Sequence, residues 1–258
     1  MKLSDQLDRP LQIQSTPKRI ISLVPSLTEL VYDLGLSTEL VGVTKFCVHP
    51  EDMRTRAKIV GGTKQVKHHY IDALDPDLIL CSKEENTSEI VAELEKKYNV
   101  YVSDINTLDD AYDFFNDLGR LCDCEEKTTA LVSEVQSALS RYKNNTADLP
   151  QLKIAYFIWR KPWMLVGNET FIQHLLSELG FTNVYADAER YPEVELADLK
   201  KADYYFLSTE PFPFEEKHKV ELPVNPSKVK IVDGEFFSWY GSRLLKAFPY
   251  FLELRTNL

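Results

Sequence analysis

No stretch of the 258 residues reaches the roughly 18 apolar positions that a membrane-crossing helix needs. The first eight residues lack the apolar core of a secretory leader. The chain as written therefore reads as cytoplasmic, with a periplasmic location as the alternative if it is a trimmed precursor. The four cysteines do not make a disulfide framework: Cys122 and Cys124 are too close to bridge comfortably, and Cys47 and Cys81 border expected strands. Free thiols are the expectation. Positive charge is in deficit, with 30 basic against 40 acidic residues and a net charge of −10. That balance speaks against nucleic acid and against an anionic membrane surface as partners. Catalytic signatures are missing as well. There is no Gly-x-Ser-x-Gly elbow, no phosphate loop, no His-Glu-x-x-His and no Gly-x-Gly-x-x-Gly, and no repeat of about 20 to 50 residues is visible. A non-enzyme is expected.

What is present is a core. Hydrophobic residues make up 44% and aromatics 11% of the chain, enough for one large domain or two lobes. The most organised stretch is residues 18–43. A short β-branched strand over 19–24 stops at Pro25, and Ser26 to Glu29 reads as a capping box at a helix start. Leu27, Leu30, Val31 and Leu34 form one apolar stripe, Gly35 supplies the left-handed stop, and a second strand follows over 40–43. This strand–helix–strand unit places its first loop at the carboxyl end of a strand, where open α/β sheets put their ligands. That loop carries Pro25 and Ser26 where a nucleotide site would carry glycines, so the unit reads as scaffold.

The alternation continues, with strands over 58–60, 78–81 and 100–103 and helices over 70–74, 88–98 and 108–121, the second of these capped by Ser88. An edge strand is expected over 11–13. Residues 125–142 contain no Gly or Pro, and Leu131, Val132, Val135, Leu139 and Tyr142 mark one stripe. A helix of that length spans about 27 Å. Beyond it come strands over 153–158, 204–208 and 228–232 and helices over 170–179 and 242–252. The fold class expected is α/β: two lobes with mainly parallel sheets joined by a single long backbone helix. The expected divisions are 1–122, 123–147 and 148–258.

Several stretches in series resemble a known family: residues 19–29 (RIISLVPSLTE), Val41-Gly42-Val43, Gly61-Gly62 and residues 73–80 (ALDPDLIL). They are similar to the substrate-binding proteins of ABC importers for cobalamin, siderophores and haem, the helical-backbone metal receptors. The resemblance implies a two-lobed receptor bridged by one helix, a ligand in the cleft between lobes, an ABC permease as partner and no required cofactor. A monomer is expected. Two positions depart from the family pattern. The glutamate that precedes the Ala-Leu-x-Pro-Asp-Leu stretch is replaced by His69, and near the second family glutamate only Glu235 is present.

The expected ligand contacts sit on strand-end loops rich in aromatic and basic side chains. In the second lobe these are Trp159, Arg160, Lys161 and Trp163, then Phe212, then Phe236, Phe237, Trp239 and Tyr240. Indoles and cations there suit a flat macrocycle with carboxylate or phosphate groups; the competing reading is that the rings cap the lobe core. In the first lobe Ser26, Lys45, Phe46, Thr63, Lys64, Lys83 and Glu84 are expected to line the opposing wall. The lysines there serve either an anionic ligand group or a salt-bridged cluster with Glu84 and Glu85. The ligand expected is a corrinoid, haem or iron chelate. The alternatives are a bare metal ion held by Cys47, His49, His68 and His69, or a tetrapyrrole-handling enzyme on the same scaffold.

Overall fold

The structure, a computed structural model, describes residues 2–258. Two units divide it. The first takes the chain up to Ile105, then Asp109–Gln136 and Tyr240–Arg243; the second takes Asn106–Leu108, Ser137–Trp239 and Leu244–Leu258. The contiguous segments expected at 1–122 and 148–258 thus exchange short pieces, and the segment expected as a separate 123–147 link is shared.

In the first unit an antiparallel ribbon of β1 (Lys2–Ser4) and β2 (Pro10–Gln12) precedes the main sheet. That sheet is parallel. It contains β3 (Ile20–Ser22), β4 (Leu40–Thr44), β5 (Lys58–Gly61), β6 (Leu78–Ser82) and β7 (Val100–Ser103), in the order β5-β4-β3-β6-β7. The order reverses between β3 and β6, so loops diverge at their carboxyl ends and leave a crevice. Helices α1 (Pro25–Asp33), α2 (Met53–Arg56), α3 (His68–Leu74), α4 (Ser88–Leu94) and α5 (Leu108–Cys122) connect or follow the strands. β6 is buried at all its positions, as a sheet covered on both faces requires. Ile21, Ile79 and Cys81 point to one face, against Ile71, Ile90 and Leu94 of α3 and α4. Helix α6 (Glu125–Thr146) is continuous and contributes residues to both units.

The second unit is built on β8 (Leu152–Trp159), which pairs in parallel with β10 (Phe181–Asn183) through its first half and with β12 (Tyr204–Ser208) further on. β13 (Val229–Val232) extends the parallel set. The end of β8 turns back into β9 (Trp163–Leu165), which pairs with β11 (Glu193–Val194), both antiparallel. The stretch 159–163 is therefore a strand end, a tight turn and a new strand. Helices α7 (Phe171–Glu178), α8 (Gly234–Ser238) and α9 (Leu244–Thr256) complete the unit. The 236–240 stretch expected as a loop is in large part α8, and the last helix starts two residues later than expected.

Two local expectations about helix starts fail. α1 has Val24 at its N-cap with no side-chain cap and Pro25 in its first turn, so there is no capping box at Ser26. The carboxylate of Glu29 is committed elsewhere: Arg243 donates to it through Nε at 2.7 Å and Nη2 at 3.1 Å, both side chains being buried. Ser242 Oγ donates to Asp33 at 2.6 Å and Tyr240 Oη to Ser82 Oγ at 2.9 Å, so four residues from late in the chain complete the first unit. A Cβ on Gly241 would lie 2.9 Å from the Ser26 carbonyl oxygen, which is why that position carries none. Likewise α4 is capped by Thr87, whose hydroxyl accepts from Ile90 N, and Ser88 is already helical.

Cutting Arg243 to alanine leaves a buried carboxylate without its fork. Urea denaturation is expected to show the first unit losing about 3 to 5 kcal/mol. The Glu29→Gln, Arg243→Met double variant should recover much of that loss.

Candidate functional site

In the first unit, chemistry gathers at the carboxyl ends of β3 to β7. Lys45 and Phe46 follow β4. The Phe46 ring is 50% exposed, and Lys45 Nζ sits 4.9 Å from its centroid. Lys64 follows β5, is exposed, and donates to the Glu84 carbonyl oxygen at 3.1 Å. The loops are tied from below by Asn86, which is buried. Its Nδ2 donates to the carbonyl oxygens of Thr63 at 2.9 Å and Leu23 at 3.4 Å, and its Oδ1 accepts from Ser82 N at 2.9 Å. Loops after β3, β5 and β6 are thereby held together by one side chain. Asn86 was legible only as a polar loop residue, because nothing in its spacing says it turns inward.

Other expected contacts of this unit have structural work instead. Ser26 and Thr63 are buried. Lys83 pairs with Asp104 at 2.6 Å, not with Glu84 or Glu85 as the salt-bridged cluster reading had it. Burial raises the carboxyl pKa of Glu85, with Lys64 opposing the shift.

In the second unit, β8 ends at Trp159, which is 38% exposed. Its ring stands edge-on to Phe212, with centroids 5.8 Å apart. Phe212 leans on Phe214, and Phe214 stacks on Trp163 at 5.9 Å, which in turn meets Phe157 edge-on. The rings form a continuous apolar column from the buried Phe157 outward to the exposed indole of Trp159. Arg160 Nε is bound to Glu221 at 2.7 Å. Lys161 is exposed at a left-handed φ of 61°.

Trp163 thus follows the reading in which rings cap the core. So does most of 236–240. Phe237 is fully buried against Tyr156 and Phe251. Trp239 is buried and donates its indole N–H to Glu210 at 3.1 Å, and Tyr240 is buried in the first unit. Phe236, half-buried, stacks on Tyr250. The exposed rings lie at the last residue of β8 or just past the end of β4.

The Cys–His set does not assemble. Cys47 is buried, with its sulfur 3.1 Å from Thr28 Oγ1 and 3.3 Å from Thr44 Oγ1, and burial pushes its thiol pKa up. His68 and His69 are exposed in the first turn of α3. Among the described residues, no group of three or more His, Cys, Asp or Glu is placed to hold a metal ion.

These features define a protein of two α/β units whose exposed aromatic groups lie at strand ends. A family model described as periplasmic binding protein matches residues 20–205, and the chain belongs to that family. An ABC transporter substrate-binding lipoprotein of Bacillus subtilis (strain 168), itself uncharacterised, is 27% identical over 194 residues, which are 72% of this chain and 61% of that protein. The chain thus matches less than two thirds of that relative's length. The vitamin B12-binding protein of Vibrio vulnificus (strain YJ016) is 26% identical over 203 residues, 77% of this chain and 74% of its own. The periplasmic haem-binding protein of Roseiflexus sp. RS-1 shares the fold, with a TM-score of 0.80 at 15% identity over 93% of this chain and 98% of that one. The cytoplasmic location read from the first residues finds no support in the family, described as periplasmic binding protein, or in the Bacillus subtilis relative, named as a lipoprotein.

Two outcomes are expected. Burial raises the thiol pKa of Cys81 and Cys122 to about 12, whereas Cys124 is partly exposed. An aromatic disulfide reagent near neutral pH should therefore label Cys124 first in the native protein and the other three only on unfolding. For Glu85, a carboxyl pKa raised by folding favours the folded state at low pH and opposes it as pH rises through the folded value. Glu85→Gln should accordingly raise the melting temperature near neutral pH, and the gain should vanish below about pH 4, near the unfolded carboxyl value.

Proposed function

We propose that this chain is the substrate-binding protein of an ABC importer, working outside the cytoplasmic membrane. Its ligand is a metal-bearing macrocycle of the corrinoid or haem class. The observation that carries the reading is the Trp159–Phe212 pair: an exposed indole braced edge-on by a ring that is itself anchored in the core column. A large aromatic surface held rigidly in water is costly unless something covers it, and a flat macrocycle offers a matching face. The first unit supports the same reading with an exposed Phe46 and the cations Lys45 and Lys64 at its own strand ends. Those cations suit the carboxylates of haem or the phosphate of a corrinoid. Family membership and the names of the relatives agree with it. A bare ion would leave these rings without a role.

The test is a tryptophan-fluorescence titration with hydroxocobalamin, haemin and a ferric hydroxamate. At least one of the first two should quench with a dissociation constant well below about 100 µM, and Trp159→Ala should weaken it about tenfold or more, roughly 1.4 kcal/mol. Trp159→Phe should retain most of the affinity, and Lys45→Gln with Lys64→Gln should make binding less salt-sensitive. Quenching by the hydroxamate alone, or by none of the three, contradicts the reading.

A further inference from the structure

The net charge of −10 conceals a segregation. Five of the chain's 30 basic residues, and none of its 40 acidic ones, fall in residues 53–71. Arg54 and Arg56 lie on α2, Lys58 on β5, Lys64 after it, and Lys67 just before α3; all five are exposed. Arg56 pairs with Asp52 at 2.5 Å, while Arg54, Lys58, Lys64 and Lys67 form no ion pair with any carboxylate among the described residues. Lys58 and Lys67 instead rest over the Tyr70 ring, at 4.2 and 5.3 Å. β5 is an edge of its sheet, and its Ile59 is 39% exposed. Beyond the opposite edge strand, β7, the same unit presents Asp104, Asp110, Asp113, Asp117 and Glu125 around an open cavity.

A lysine on an edge strand commonly guards against edge-to-edge pairing, which accounts for Lys58. It does not account for Arg54, Arg56 and Lys67, which are off the strand; Lys64, which reaches the Glu84 carbonyl oxygen at the strand ends, belongs to the ligand-facing set and not to this edge. We propose that the β5 edge is a contact surface for an anionic lipid bilayer. A protein partner would require an apolar, charge-poor centre to the patch, and Ile59 is the single large exposed apolar side chain in the stretch. A bilayer requires only several cations within about a Debye length, 8 to 10 Å, of its headgroups. The remainder of the chain carries the excess of acidic residues and is repelled by the same surface, so cations with few nearby carboxylates at one edge orient the protein as well as recruiting it. The unfavourable net charge read from composition therefore does not exclude a membrane surface. This inference is independent of the ligand, and its assay contains none.

Co-sedimentation with vesicles tests it. At about 50 mM salt the wild-type chain should partition onto phosphatidylcholine–phosphatidylglycerol vesicles about tenfold better than onto phosphatidylcholine alone, and the difference should collapse at about 300 mM salt. The Arg54→Glu, Lys58→Glu, Lys67→Glu variant should lose that preference. A charge-matched control in the second unit, Lys153→Glu, Lys201→Glu, Lys228→Glu, should keep most of it. Circular dichroism checks that both are folded. No preference for anionic vesicles, or an equal loss in the control, overturns the proposal. Retention on polyglutamate without vesicle binding would assign the edge to an acidic protein and overturn it too.

Discussion

A parallel sheet covered on both faces has no room for exposed chemistry except at its ends. This constraint governs both units. Along β6 every residue is buried, and on β8 the side chains of 154–158 are buried on alternate faces, so neither strand can offer a ligand anything but its terminus. The exposed rings lie where that constraint predicts: Phe46 two residues past β4, and Trp159 on the last residue of β8. Phe237 on α8 is fully buried, Trp163 on β9 is partly buried against Phe214, and Trp239, just past α8, is buried with its indole N–H on Glu210.

The first unit depends on a second interaction, the buried Glu29–Arg243 pair. It joins residues far apart in sequence, and the desolvation it demands is offset by two charge-assisted hydrogen bonds in fork geometry. Around it Ser242, Gly241 and Tyr240 each have a fixed place on α1 or β6. α1 begins without a side-chain cap because Val24 holds its N-cap position and Pro25 its first turn.

Much of the fold was legible in the sequence. The short apolar runs at 20–22, 78–82 and 204–208 and the uninterrupted stripe of α6 carry local signals that tertiary packing reinforces. The antiparallel pair β9 and β11 was not legible, because three- and two-residue strands leave no periodicity to count. Of the side chains assigned to the proposed site, Trp159, Phe212, Phe46 and Lys45 follow from the aromatic and basic composition of strand-end loops. The same criterion also gathered Phe237 and Tyr240, since composition cannot tell a loop from the one-turn helix α8 or foresee that residue 240 belongs to the first unit. Asn86, Asp104 and Glu221 escaped for the converse reason: their roles are set by partners that only the fold brings near.

The central claim is that ligand recognition lies at strand ends and the remaining aromatic residues are core. It can be read directly from the chain's three tryptophans. With fluorotryptophan incorporated, fluorine NMR gives one resonance each for Trp159, Trp163 and Trp239, assigned by single substitution to phenylalanine. Saturation with hydroxocobalamin or haemin should displace the Trp159 resonance and leave those of Trp163 and Trp239 nearly in place. A ligand that moves Trp163 or Trp239 while Trp159 stays fixed would contradict the account.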